Sequence, residues 1–145
     1  MILEIALAAQ IYNGLLYPEM GTIANAMTKR GQHVEVLWHD QEDRSTCPPY
    51  LLGHSMGANT ALRQAARCAA AGRPPRIVVT IDPGRAPLFH SCPPKVTCYN
   101  LYNPAHAIGG QRVSGTTHNI IIEGYTHLQL PLAPRVVKFT LGVTK

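Results

Sequence analysis

The chain has 145 residues, 46% of them hydrophobic and 14% charged, a globular composition in a length that suits one domain, 1–145, with its own core. Its formal net charge of +5 comes from Lys and Arg scattered along the chain, not clustered with aromatics, which argues against a nucleic-acid partner. No apolar run approaches the roughly 20 residues that span a bilayer, so no membrane partner is expected.

The opening stretch, Met1 to Gln10, lacks a basic start and carries Glu4 inside its apolar run. It reads as a strand over 2–8 buried on both faces, not as a signal peptide, and this favours the cytoplasm. A loop from Ala9 to Gly14 follows. Met20, Ile23, Ala24 and Met27 then recur at helical spacing, and Lys29-Arg30-Gly31 supplies a basic last turn and a stop. Residues 33–38 alternate apolar and polar as a strand does, and 50–53 form another. Between them lie eleven residues, short for a parallel crossover. Either 40–46 forms one helical turn, or a bare loop crosses and leaves apolar sheet surface exposed, which would favour a homodimer.

From Met56, the positions Ala58, Leu62, Ala65, Ala66 and Ala69 make a stripe of small side chains that lets a helix sit close to a sheet, ended at Gly72. Strands are expected at 76–81, 96–102 and 120–123, and Pro134 opens a closing helix with Val136, Val137, Phe139 and Leu141 on its buried side. This alternation predicts an α/β domain of three layers, α/β/α, around a mainly parallel sheet of about five to six strands. The four cysteines, Cys47, Cys68, Cys92 and Cys98, lack C-x-x-C spacing and read as reduced thiols; Cys92 and Cys98 are the one sequence-close pair able to bridge.

Gly53-His-Ser-Met-Gly57 places a serine between glycines where a short strand turns into a helix. A serine hydroxyl is a poor nucleophile unless a base takes its proton and a third group orients that base. At a tight strand-to-helix turn, glycines at 53 and 57 relieve crowding, and the backbone N–H of Met56 points from the helix start toward a developing oxyanion. Asp82, the only aspartate after Ser55, ends a β-branched strand on the same sheet edge. Glu123 is the competing acid. His127 lies in a loop before the closing helix, where it can stand between Ser55 and Asp82; His118 and His106 are its rivals. His54 adjoins the serine but points the wrong way for a base and reads, with Tyr12, as a pocket residue. The loop after the first strand offers the Gln10 or Ile11 amide as the second oxyanion donor. No His-x-x-x-His or His-Glu-x-x-His spacing occurs, so neither a metal nor another cofactor is expected.

With these residues in place, the sequence resembles the α/β-hydrolase superfamily of lipases, esterases and thioesterases, as a very short member. The resemblance runs from the first strand through Gly-His-Ser-Met-Gly-Ala at 53–58 and Val-Val-Thr-Ile-Asp-Pro at 78–83 to His127 and the final helix. It implies a serine hydrolase acting on a small-molecule carboxylic ester through acyl-Ser55, with a thioesterase on the same groups as the alternative. It also departs from that pattern: the strand pair that usually precedes the first strand and most of the helix before the elbow are missing, and the acid comes one strand early. These losses leave a non-catalytic binding protein on the same scaffold as the reading from a different class.

Overall fold

The structure, a computed structural model, describes residues 6–14, 18–85, 91–115 and 117–145. Six strands, β1 (Ala9–Asn13), β2 (Val34–Trp38), β3 (Tyr50–His54), β4 (Ile77–Ile81), β5 (Thr97–Tyr102) and β6 (Thr117–Ile121), form one sheet in the order β2-β1-β3-β4-β5-β6. Every pairing is parallel. The helices are α1 (Gly21–Lys29), α2 (Met56–Ala70) and α3 (Pro134–Val143), with a single 3₁₀ turn at Leu130–Leu132 before α3.

The pleat sends alternate side chains to two cores. On one face Ala9, Ile11, Leu52, Val79, Ile81 and Leu101 meet Ile23 and Met27 of α1 and Val136 of α3. On the other, Tyr12, Leu51, Val78 and Cys98 meet Ala61, Leu62 and Ala65 of α2. The expected three layers are therefore present; on the second face α2 is the one helix among the described residues, joined there by Cys92, Val96 and Val113. The strand order reverses between β1 and β3, since β2 lies outside β1 while β4 to β6 continue on the other side. A crevice opens at the carboxyl ends of strands flanking such a reversal. Both β1 and β3 end there.

The first strand is placed differently from the sequence reading. Residues 1–5 lie outside the described residues, 6–8 are not strand, and the segment expected to be a loop is β1 itself. Gln10 and Asn13 obscured it, because two polar residues in five disguise a buried strand. Both are satisfied by tertiary partners: Gln10 Nε2 donates to Glu35 at 2.8 Å and to Asp43 at 2.9 Å, and Asn13 Oδ1 accepts the Met20 N–H at 3.0 Å. The last strand likewise begins three residues earlier than expected, at Thr117, for Asn119 is bonded to Asn100 and to Val113.

No helix forms between β2 and β3, so a bare loop makes that crossover. It is fastened to α2 by Arg67 donors to the Asp43 and Arg44 carbonyls and by Thr60 Oγ1 to the His39 carbonyl. The exposed apolar residues of this region, Val36 and Trp38 at 43% and 36%, stand instead on the opposite face of edge strand β2.

The reduced-thiol expectation is corrected. Cys47 bridges Cys68 and Cys92 bridges Cys98. The first pairing joins residues 21 apart, and only the packing of the bare loop on α2 reveals it. Closing a loop of that length stabilises by about 3 kcal/mol through the unfolded chain. Cys47→Ser with Cys68→Ser is accordingly expected to lower the unfolding free energy by about that amount in a urea titration. An unchanged midpoint would show that the thiols are free in solution.

Candidate functional site

Ser55 follows β3 and precedes α2 with φ 57° and ψ −124°. A non-glycine residue holds such a conformation only where its surroundings enforce it, at a cost of about 1–3 kcal/mol. Here the Ser55 N–H donates to the Ile81 carbonyl at 3.0 Å, and the Ser55 carbonyl accepts the N–H groups of Ala58 at 3.1 Å and Gly84 at 3.2 Å. The flanking glycines permit the turn by their lack of a side chain. A Cβ on Gly53 would stand 2.2 Å from the Gly57 carbonyl oxygen, and one on Gly57 would stand 2.3 Å from that of Tyr12.

Although Ser55 occupies the N-cap position of α2, its hydroxyl makes no capping bond. A capping serine spends its oxygen on the helix's unpaired N–H groups. This one lies 3.0 Å from His127 Nε2. His127 Nδ1 in turn lies 2.6 Å from Asp82 Oδ2. Three residues that the sequence spaces 27 and 45 apart are thus joined in one hydrogen-bonded chain at the carboxyl edge of the sheet.

Asp82 directly follows β4, fully buried, with φ 48°. Its Oδ1 accepts the N–H groups of Asn103 and Gly110, each at 3.0 Å, and its Oδ2 takes His106 Nδ1 at 2.5 Å besides His127. Burial pushes this carboxyl up, but the bonds from His127, Asn103 and His106 together outweigh it and hold it below its ordinary 3.8. A carboxylate bonded four times in its charged form is ionised at neutral pH. Glu123, the competing acid, is exposed and lies beyond β6.

His54 is buried and stacks beside His127 with ring centroids 4.6 Å apart. Its Nδ1 lies 2.6 Å from Glu19 Oε1 and its Nε2 2.8 Å from the His127 carbonyl. Both ring nitrogens are thus engaged, and Nδ1 forms a close buried pair with Glu19. Burial raises the Glu19 carboxyl, yet the bonds from His54 and from the Gly14 N–H bring it below its ordinary 4.5. The pair links the end of β1 to the backbone of His127. Breaking a buried pair of this kind costs about 3–5 kcal/mol.

Ser55 and His127 open into a cavity of about 650 Å³ that Met56, Ile108 and Leu128 make largely apolar, with Arg85 at its side. His54 is among its lining residues. Tyr12 is not: the alternation of β1 turns it to the α2 face, where its hydroxyl donates to Gln64 Oε1 and burial pushes its phenol up to about 12. Met56 heads α2, where an N–H has no acceptor within its own helix. Gln10 and Ile11 are not placed to donate to an oxyanion. They sit within β1, before its last residue Asn13, paired on one side with β2 and on the other with β3. The loop that succeeds β1 includes 15–17, which lie outside the described residues.

Asp82, His106 and His127 bring one ligand-type atom each to within 4.8 Å of one another. Two ring protons shared with a single carboxylate oxygen account for that closeness, and the cluster is a hydrogen-bond junction.

No family model matches the chain, and no curated protein does. Among solved structures it is similar to a protein from Xanthomonas campestris pv. campestris described as a hydrolase of the α/β superfamily. The TM-score is 0.62 at 12% identity, over 94% of this chain and 99% of the other. The chain has the α/β-hydrolase fold. It is also similar to YbtT, a type II thioesterase from the yersiniabactin NRPS/PKS biosynthetic pathway, with TM-score 0.57 at 11% identity over 94% and 91% of the two chains. Within the α/β-hydrolase fold, Ser55 occupies the turn between strand and helix that shapes a nucleophile elbow.

Two participants escape a reading of the sequence alone. Glu19 reads as an acid at a helix start, a common and bland placement. His106 stands out only as a rival to His127, whereas the fold sets the two rings on one oxygen.

Proposed function

We propose that the chain is a serine hydrolase cleaving small carboxylic esters through an acyl-Ser55 intermediate. One observation carries this reading: the Ser55 hydroxyl, at a strained helix start, forgoes its capping bond and faces His127 Nε2. Ser55 Oγ attacks the substrate carbonyl carbon while His127 Nε2 takes its proton. Asp82 orients the ring and balances the charge that it gains. The carbonyl oxygen becomes an oxyanion facing the Met56 N–H, at the positive end of α2. Collapse breaks the bond to the leaving oxygen, which takes the proton from His127. Water then repeats the sequence on the acyl-serine, yielding the acid and free Ser55.

The apolar cavity suits an acyl chain, and its rim is open, with Ile108 at 70% and Leu128 at 43% exposure. The likeness to a type II thioesterase favours a second reading in which the leaving atom is sulfur and the same groups act. The paired cysteines weigh toward an oxidising compartment over the cytoplasm. Among the described residues no helix is long and apolar enough to cross a membrane.

Rates over p-nitrophenyl esters from acetate to palmitate, beside an acyl-CoA series, test the assignment. Turnover of the esters is expected, with a preference for chains that the cavity accommodates. Thioester rates exceeding ester rates at matched chain length would move the assignment to the second reading, and absence of turnover on both would refute each.

A further inference from the structure

The segment 103–110 touches Asp82 at three points. The Asn103 and Gly110 N–H groups hold Oδ1, and His106 Nδ1 lies 2.5 Å from Oδ2. With His127, this fills the roughly four acceptor positions of a carboxylate. The other nitrogen of His106, Nε2, lies 2.8 Å from the carbonyl of Tyr125, two residues before His127. A carbonyl only accepts, so Nε2 donates to it. His106 therefore spans from the acid to the loop that carries the base. Across the ring of His127 stands His54, bonded to the His127 carbonyl. The two rings flank His127 at 4.6 Å and, edge-on, at 6.2 Å.

Elements of different origin thus meet on His127: the end of β4 through Asp82, the loop after β5 through His106, and the end of β3 through His54. The loop bearing His127 is attached to the sheet edge by its carbonyls at 125 and 127, one on each side of the ring. Two such attachments fix both the position and the tilt of the imidazole, where one would leave it free to pivot. Asp82 alone cannot supply the second, because it grips only the ring.

We propose that His106 is a positioning residue that holds His127 in register with Ser55 by bridging Asp82 Oδ2 to the Tyr125 carbonyl. The proposal rests on the acyl-transfer reading above. His106 is bonded to Asp82 and to the Tyr125 carbonyl, not to Ser55 Oγ or His127 Nε2; it limits the excursions of the group that takes the proton. A displacement of about 1 Å at a reacting group can cost about 10²-fold in rate.

The test uses the full chain and two readouts. In steady-state kinetics on the best ester, His106→Ala is expected to lower kcat by roughly 10²-fold while KM stays within about twofold, since the cavity is intact. His106→Asn can still donate to Asp82 but releases Tyr125, and it is expected to recover about tenfold of that loss. It also carries the test should the alanine variant not fold. In proton NMR of the Ser55→Ala protein, the proton shared by His127 Nδ1 and Asp82 Oδ2 is expected as a separate low-field resonance. Adding His106→Ala should broaden it away through exchange with solvent. A kcat within twofold of wild type, or an unchanged resonance, overturns the proposal. Absence of turnover in the wild type, with the resonance behaving as expected, refutes the hydrolase reading and leaves the positioning of His127 standing.

Discussion

Ser55→Ala is expected to lower kcat by about 10⁶-fold and to abolish covalent labelling by a fluorophosphonate. The size of the loss follows from what the hydroxyl does in the proposed reaction. It forms the bond to carbon, and among the described residues no other nucleophile is bonded to His127 Nε2: the neighbouring ring of His54 has both nitrogens engaged, with Glu19 and with the His127 carbonyl. The variant should fold. The turn at residue 55 is held by backbone bonds to Ile81, Ala58 and Gly84, which alanine retains, and the hydroxyl caps no helix. A melting temperature within a few degrees of wild type, with labelling lost, is the expected pair of results. Labelling that persists in the variant would place the nucleophile elsewhere.

Asp82→Asn is expected to lower kcat by about 10⁴-fold with little change in KM. Here the surroundings dictate how the new side chain sits. The Asn103 and Gly110 N–H groups donate into the Oδ1 position, so the amide oxygen must face them. Its NH₂ group then points at the two histidine nitrogens that donate to Oδ2 in the wild type. His127 loses its acceptor at Nδ1, and the tautomer that leaves Nε2 ready to take the serine's proton is no longer favoured. Stopped assays at substrate saturation check the prediction, and a rate within tenfold of wild type would sink the role given to Asp82.

Much of this arrangement was legible because it is written in local pattern. The elbow at 53–57 is a serine between residues that can carry no side chain, and Asp82 closes a β-branched run whose end has to lie on the same sheet edge. His127 comes late, just before a helix opened by Pro134. What was not legible depends on side chains meeting from distant parts of the chain. Gln10 looked like loop because its partners, Glu35, Asp43 and Gln64, come from other elements. Tyr12 looked like a pocket residue until the strand began at Ala9 and alternation turned it toward α2. The oxyanion donors assigned to Gln10 and Ile11 failed for the same reason, a strand boundary displaced by seven residues. Cys47 and Cys68 offered no spacing to read, since their approach is created by the loop lying on α2.

The wholly parallel sheet also bears on how the chain reaches this state. Each strand pairs only with partners that a hairpin cannot deliver: even β5 and β6, joined by one connection, set Tyr102 against Ile121. Among the described residues no local ladder exists to seed the sheet, and the entropy of closing long segments must be met before any pairing rewards it, which makes such topologies slow to form. The exposed edges of half-built parallel sheets recruit one another in that interval. In an oxidised chain the Cys47–Cys68 link keeps the bare crossover beside α2, so β3 and its neighbour β4, which follow the two bridged cysteines, begin the search already tethered.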